Sequence, residues 1–250
     1  MAFALQTEKL CKSFGALTVA EQIDFRLEPG ARHALIGPNG AGKTTFVNML
    51  TGAIAPTSGK IFLNDQEVTR TSQAARVRLG LGRTFQITTL FRSLPVLDNV
   101  ALAVAERRGD AQRMWRPASA HREIIDESLE LLATLGLADD AAAAAQDLPY
   151  GKQRLVEVAI ALGLRPKVLL LDEPAAGVPS ADTEKILRHL EKLSAEIAIL
   201  IIEHDMDLVF RFAQRITVLV QGQVLVEGPP EEIAADKRVR DVYLGEATHA

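Results

Sequence analysis

The chain is organised around the stretch Gly37-Pro38-Asn39-Gly40-Ala41-Gly42-Lys43-Thr44-Thr45. Gly, four residues and then Gly-Lys-Thr is the spacing of a phosphate-binding loop, and an apolar, strand-like run precedes it. The glycines let successive backbone N–H groups point at a polyphosphate, which also lies at the positive end of the following helix. Lys43 would reach the phosphates, and the Thr44 hydroxyl would bind a phosphate-linked Mg²⁺, an ion that prefers hard oxygen ligands. The alternative, an ordinary glycine turn, does not require Lys and Thr at these offsets.

Composition narrows the class of protein. Of the 250 residues, 48% are hydrophobic and only 5% aromatic, which favours helices layered on buried parallel strands, so we expect an α/β fold. The net charge of -4 provides no global basic field, and we expect no nucleic-acid partner. The single cysteine, Cys11, fits a reducing compartment. We expect neither a signal peptide nor a membrane-spanning segment, so any membrane attachment would come through a partner.

Polar side chains follow two apolar runs in the second half of the chain. Asp172 and Glu173 follow residues 168–171, and His204 follows the run 198–202 closely. Ligands of open α/β sheets collect at the carboxyl ends of the strands. Asp172 would hold Mg²⁺ and Glu173 would accept a proton from the water that attacks the γ-phosphate; the alternative is two exposed acids without a role. A lone histidine is usually structural, so His204 gains a role only from this context, and the other four histidines are given none.

The remaining segments predict strands in the N-terminal part of the chain and helices after residue 86. Residues 5–27 have the pattern of short strands around a turn at Gly15, where Phe14, taken alone, is better explained as a core residue. The region after residue 86 reads as a helical module, and the alanine run at 141–145 favours a helix. The polar segment 106–120 contains four arginines and is interpreted as a solvated connector, with contact to lipid headgroups or a partner as the alternative.

Together these motifs resemble the nucleotide-binding subunit of ATP-binding cassette (ABC) transporters over nearly the whole chain. The loop matches Walker A, and residues 168–172 match Walker B, with Glu173 at the catalytic glutamate. Gln86 matches the Q-loop glutamine, Phe14 the aromatic residue that stacks on adenine, and His204 the switch histidine. The resemblance implies an ATPase that uses ATP and Mg²⁺. It assigns catalysis to Lys43, Glu173 and His204, nucleotide binding to residues 37–45, Phe14, Gln86 and Gly151, and Mg²⁺ binding to Thr44, Gln86 and Asp172.

The resemblance also implies an architecture. It predicts a P-loop NTPase (ABC ATPase) fold in a single nucleotide-binding domain that spans residues 1–250. A RecA-like core with an N-terminal antiparallel β-subdomain would comprise residues 1–86 and 160–250. An inserted α-helical subdomain would occupy about residues 87–159.

Two departures from the family pattern affect the site. Residues 148–153 stand where the signature Leu-Ser-Gly-Gly-Gln is expected, but Pro149 and Tyr150 replace its serine and first glycine. Because proline offers neither a hydroxyl nor an N–H group, the contact to the opposite subunit's γ-phosphate would rely on Gly151 and the helix N-terminus. Pro179 stands where the D-loop usually has Asp or Asn. We expect hydrolysis nevertheless, because Lys43, Asp172 and Glu173 are present.

The finer resemblance is to ATPases of bacterial importers for branched-chain and other hydrophobic amino acids. It is carried by Arg83-Thr84-Phe85-Gln86, Asp172-Glu173-Pro174-Ala175-Ala176-Gly177 and Val242-Tyr243-Leu244-Gly245. A lipopolysaccharide-exporting ATPase is one alternative. A soluble ABC ATPase of DNA repair or translation is another, but it usually carries coiled-coil insertions or two cassettes in one chain.

The resemblance implies partners as well. A second ATPase subunit, identical or paralogous, would face this one head to tail with two ATP molecules between them. Transmembrane permease subunits would contact the strip at residues 87–95, and a periplasmic substrate-binding protein would belong to the same system. The chain would therefore lie on the cytoplasmic face of the inner membrane.

Overall fold

The computed structural model describes residues 3–84, 90–109 and 118–246, so Gln86 lies outside the described residues. The chain divides into two compact units. The first comprises the residues up to Leu81, Lys167–Leu171 and the residues from Ala195 onward, and the second comprises Gly82–Pro166 and Asp172–Ser194. The assignment of an inserted helical subdomain to residues 87–159 remains a prediction.

Strands and helices alternate along most of the described chain. In chain order the strands are β1 (Leu5–Phe14), β2 (Leu17–Leu27), β3 (Arg32–Ile36), β4 (Ser58–Leu63), β5 (Gln66–Glu67), β6 (Leu81–Arg83), β7 (Val168–Asp172), β8 (Ala198–Ile202), β9 (Arg215–Val220) and β10 (Gln223–Gly228). The α-helices are α1 (Lys43–Thr51), α2 (Gln73–Arg78), α3 (Val96–Arg108), α4 (Ala118–Thr134), α5 (Tyr150–Gly163), α6 (Ser180–Glu191), α7 (Met206–Phe212), α8 (Pro230–Ala235) and α9 (Lys237–Glu246).

The strands form two sheets. One is an antiparallel sheet of order β2-β1-β4-β5, and the other has the order β10-β9-β3-β8-β7-β6. In the second sheet β3 runs parallel to both β8 and β9. Every residue of β7 and β8 is buried, as expected for parallel strands covered on both faces. The predicted α/β fold with an antiparallel front end is confirmed.

The core of the first unit surrounds the helix that follows the glycine-rich loop. Phe46 and Met49 of α1 are fully buried in one cluster with Leu35 of β3 and Phe25 of β2. The Phe25 and Phe46 rings meet edge to face, with centroids 5.6 Å apart. Such aromatic contacts add to the gain from burying the ring area. The start of α1 is therefore held against both sheets of this unit.

The second unit is built around α3, α4, α5 and α6, and ion pairs join its first two helices. Arg107 on α3 makes a two-point contact with Glu127 on α4, and Arg108 contacts Glu123. The hydrogen bond from Arg107 holds the pKa of Glu127 below its ordinary value. These two arginines of segment 106–120 thus have intramolecular partners, whereas Arg113 and Arg116 lie outside the described residues.

The alanine run at 141–145 does not form an α-helix, and that prediction was wrong. Its backbone pairs with the start of α3 instead: Val96 N–H donates to Ala143 O at 2.9 Å, and Ala145 N–H donates to Leu94 O at 3.0 Å. Pro95 and Ala144 form an antiparallel bridge. Because these tertiary hydrogen bonds satisfy the backbone, they override the helix propensity of alanine.

Within the part of the chain that the structure describes, no helix combines the length and the hydropathy needed to cross a bilayer.

A buried histidine on β3 anchors a polar chain that links three strands. His33, only 1% exposed, hydrogen-bonds through Nε2 to Thr217 Oγ1 at 2.7 Å, and Thr217 donates to Glu227 Oε2 at 2.8 Å. Since the Thr217 hydroxyl donates its proton to Glu227, His33 Nε2–H is the donor in the first contact. Burial is the main reason that the pKa of His33 falls from 6.5 to about 4. The negative charge of Glu227 raises this pKa, and the positive charge of Arg215 lowers it.

His33 should make the folded state sensitive to acid. Its folded pKa lies below its unfolded pKa, so the unfolded chain binds the proton more tightly and stability falls as the pH drops from 6.5 to about 4. The contribution reaches about 3 kcal/mol at 1.36 kcal/mol per pKa unit. We expect the difference in unfolding free energy between wild type and His33→Gln, measured in urea, to shrink across this range. A difference that does not vary with pH would contradict the buried neutral imidazole.

Candidate nucleotide-binding site

The glycine-rich loop 37–45 joins the buried strand β3 to α1. Gly42 is the residue before α1 and has φ +98°, and a Cβ there would lie 2.6 Å from Val19 O, so only glycine is accommodated. The loop is also tied to the turn between β9 and β10, because Gly222 N–H donates to Ala41 O at 2.9 Å. No acidic side chain lies in the first turn of α1. This end of α1 is therefore shaped and charged to receive an anion.

The Lys43 ammonium lies at the centre of this loop. Its Nζ donates to the carbonyl oxygens of Gly37 and Pro38, the latter at 2.9 Å. The loop thus surrounds the Lys43 ammonium group. From this position the ammonium can bind phosphate oxygens through its positive charge. Thr44, the next residue, places its hydroxyl in the first turn of the same helix.

Arg76 fixes the opposite end of α1, a role that sequence reasoning missed. Its side chain is 1% exposed, and Nη1 donates to Met49 O and Leu50 O at 2.6 Å each. A cation that binds the last carbonyls of a helix also opposes the negative end of the helix dipole. Burial lowers the pKa of Arg76 below its ordinary value. The basic pattern around residue 76 was visible in the sequence, but its partners at residues 49 and 50 were not.

Phe14 is not a core residue, so the interpretation preferred for it in isolation was wrong. It ends β1 and is 51% exposed, with Lys12 Nζ 4.8 Å from the ring centroid. An exposed aromatic ring is available for stacking on a planar ligand. Its contact with adenine stays a prediction.

His204 follows the strand that neighbours β3. Leu35 of β3 pairs with Ile202 of β8, so Gly37 and His204 emerge from adjacent strand ends of the first unit. The His204 side chain is 67% exposed. Its backbone N–H donates to the carboxylate of Glu203, a buried residue, at 3.2 Å. Glu203, which sequence analysis gave no role, therefore holds the turn that presents His204.

Asp172, in the second unit, is a buried carboxylate with a cationic partner. Arg83 Nη2 donates to Asp172 Oδ2 at 2.7 Å, and Asp172 is 4% exposed. The Asp172 N–H also donates to Thr84 Oγ1 at 3.4 Å. Arg83 and Thr84 begin the Arg-Thr-Phe-Gln motif, so this motif secures the acid at the end of β7. The sequence suggested the motif but not this ion pair.

Glu173 begins a tight turn in a strained conformation. Its φ is +47°, a left-handed conformation that costs a non-glycine residue about 1 to 3 kcal/mol. Ala176 N–H donates to Glu173 O at 3.0 Å and closes the turn. Such strain persists where the surrounding structure over-determines it, which is common at functional sites.

Within the stretch 148–153, α5 begins at Tyr150, so a helix starts here as predicted, but proline replaces a polar cap. Pro149 precedes the helix and makes no side-chain capping bond. Gly151 is buried against residues 178 and 182, which a Cβ would touch at 3.4 Å. Lys152 forms an ion pair with Asp140 at 2.7 Å. The helix start is thus anchored within the second unit by the packing of Gly151 and the ion pair of Lys152.

The Arg83–Asp172 pair should contribute strongly to folding. Removing one member of a buried pair leaves an uncompensated charge and costs about 3 to 5 kcal/mol. We expect Arg83→Gln to lower the unfolding free energy by this amount in Mg²⁺-free buffer, whereas Arg165→Gln, at a 71%-exposed side chain that pairs with Glu127, should cost at most about 1 kcal/mol. A double-mutant cycle with Asp172→Asn isolates the pair. A coupling energy near zero would show that the two side chains do not stabilise each other.

Comparison with known proteins supplies the family. Residues 20–176 match the ABC transporter family, and residues 223–249 match the branched-chain amino acid ATP-binding cassette transporter family. The high-affinity branched-chain amino acid transport ATP-binding protein LivG of Escherichia coli is 38% identical, covering 97% of this chain and 98% of the relative. The corresponding protein BraF of Pseudomonas aeruginosa is 36% identical with the same coverage.

Solved structures agree with this assignment. An ATP-binding cassette of an ABC transporter in its ADP conformation superimposes with a TM-score of 0.86 at 30% identity, covering 98% of this chain and 99% of the other. A nucleotide-free cassette gives a TM-score of 0.84 at 28% identity, with coverage of 97% and 99%. The glycine-rich loop, the buried acid at the end of β7 and these similarities lead to one conclusion: the chain belongs to the ABC transporter family and is an ATP-binding cassette that hydrolyses ATP.

Proposed function

We propose that this ATPase drives an importer for branched-chain or other hydrophobic amino acids. The observation that carries the proposal is the match of residues 223–249 to the branched-chain cassette family, together with near full-length similarity to LivG and BraF. The C-terminal match favours this substrate class over lipopolysaccharide export or a soluble role in DNA repair or translation.

In the proposed reaction, the loop 37–45 binds the phosphates of ATP and Lys43 neutralises their charge. Phe14 stacks on adenine. Mg²⁺ would be held by the Thr44 hydroxyl and the Asp172 carboxylate, with Gln86 as a further oxygen ligand. No cluster of three or more His, Cys, Asp or Glu side chains suited to a metal occurs in the described residues. The hydroxyl, the carboxylate and the amide oxygen named above are hard oxygen donors. They suit Mg²⁺, which commonly takes one or two carboxylates and completes its shell with substrate phosphates and water.

Glu173 and His204 carry out hydrolysis in this proposal. Glu173 accepts the proton of the attacking water, and His204 aligns that water and the γ-phosphate. When bound, Mg²⁺ would supply positive charge that stabilises the phosphates. A second cassette, identical or paralogous, supplies Gly151 and the N-terminus of its α5 to the same nucleotide. ATP therefore favours the closed pair, and hydrolysis favours the open one.

The permease contact is proposed for the strip 87–95, of which residues 90–95 are described. Phe91 is 59% exposed, yet its backbone is held firmly: its N–H donates to Asn99 Oδ1 at 2.8 Å, and Asn99 Nδ2 donates back to Phe91 O at 3.2 Å. Asn99 also donates to Pro95 O at 3.0 Å. A rigidly presented aromatic residue is a good anchor for a protein interface. We place the chain on the cytoplasmic face of the inner membrane, beside permease subunits that receive substrate from a periplasmic binding protein.

Glu173→Gln tests the chemical part of this proposal. The amide keeps the shape of the side chain but cannot accept the proton, so ATP should still bind while turnover falls at least about 100-fold. The trapped protein should elute as a dimer on gel filtration with ATP. Glu130→Gln, at an exposed position on α4, is the matched control. Wild-type turnover in Glu173→Gln would remove this glutamate from the mechanism, and a monomer with ATP would count against the closed pair.

A further inference from the structure

Tyr150, at the start of α5, contacts the turn that follows β7. Gly177 lies in that turn with φ +73°, and a Cβ built there would be 3.3 Å from Cε1 of the Tyr150 ring and 3.9 Å from its Oη. The ring therefore lies close to Gly177, in the space that a side chain at this position would enter. Glycine, which the family signature has in place of Tyr150, has no side chain with which to make this contact.

Arg154, one helical turn further along α5, fixes the Tyr150 side chain. Its Nη2 donates to Tyr150 Oη at 2.6 Å, and its guanidinium carbon is 5.0 Å from the ring centroid. Arg154 is itself paired with Glu157 at 2.9 Å, and these two side chains are only 7% and 4% exposed. A partly exposed tyrosine is thus anchored on a buried ion pair, so its orientation is defined even though the residue is 39% exposed.

The turn covered by Tyr150 is the one that begins at Glu173. Ala176 N–H donates to Glu173 O, and Val178 N–H donates to Ala175 O, each at 3.0 Å. Gly177 lies between these two donors, so the ring packs beside the same short segment whose first residue has the strained φ of +47°. A contact at Gly177 therefore constrains where the Glu173 carboxylate is presented.

We infer that Tyr150 is a positioning residue for ATP hydrolysis, which ties the start of α5 to the turn that presents Glu173. The inference rests on the proposed role of Glu173 as the proton acceptor. Tyr150, which replaces the signature glycine, would then have a defined role. When the N-terminus of α5 moves, the Tyr150 ring transmits that movement to the turn that presents Glu173 in the same chain. Tyr150 itself need not touch the nucleotide.

Tyr150→Ala and Tyr150→Phe in the full chain test this inference. Phenylalanine keeps the ring against Gly177 and loses only the hydroxyl, whereas alanine removes the contact. In nucleotide-free protein we expect amide hydrogen exchange at Ala176 and Val178 to accelerate about tenfold or more in Tyr150→Ala but to stay within about threefold of wild type in Tyr150→Phe. With ATP and Mg²⁺, Tyr150→Ala should lower kcat about 10- to 100-fold, as expected for a misplaced catalytic group.

The remaining readouts separate positioning from a general loss of structure. ATP affinity of the isolated chain should be unchanged in both variants, and Tyr150→Phe should restore most of the kcat lost in Tyr150→Ala. Leu102→Ala, which truncates an apolar side chain that is 47% exposed on α3 of the same unit, is the control for surface truncation. Unchanged exchange at the turn, or faster exchange with unchanged kcat, would overturn the inference. Absence of turnover in wild type would instead contradict the proposed function, and hydrogen exchange would then decide the Tyr150 contact by itself.

Discussion

A phosphate-binding loop must hold backbone amides and a cation in place around a strongly charged ligand, and the first unit is built to meet this constraint. The loop begins at the fully buried end of β3 and ends at α1, where Gly42 leaves no room for a side chain. Arg76 binds the far end of α1, and Phe46 locks the helix into the core. Because both ends are fixed, the backbone of the loop needs little reorganisation to bind phosphate, and preorganisation of this kind is a major source of electrostatic catalysis.

The fold and the main site motifs could be predicted from the sequence because their signals are local. The runs 168–171 and 198–202, which form β7 up to its final Asp172 and the whole of β8, are apolar throughout, and the spacing of the loop is set within nine residues. The predictions that were wrong concern residues whose conformation or burial depends on residues far along the chain. Backbone pairing with the start of α3 overrode the alanine run, and the exposed end of β1 left Phe14 without a core to fill.

Several supporting residues could not be found from one sequence, because each acts through a partner far along the chain. Arg76 caps a helix 26 residues upstream of it, Arg83 pairs with an acid 89 residues away, and His33 bonds to Thr217. In each case a charge or polar group is buried, and its energetic balance depends on hydrogen bonds that only the tertiary structure supplies. The two prolines at 149 and 179 were visible as departures, but the compensating contacts of Tyr150, Gly151 and Lys152 were not.

The central claim is that the loop around Lys43 binds ATP, and equilibrium titration with ATP in Mg²⁺ tests it most directly. Lys43→Ala removes the charged hydrogen bonds to phosphate and should weaken binding at least about tenfold, since such bonds contribute roughly 1.5 to 3 kcal/mol each. Lys60→Ala removes an equally charged side chain that is 56% exposed and pairs with Glu67, and it should bind as wild type does. Equal ATP affinity in Lys43→Ala and wild type would contradict the account.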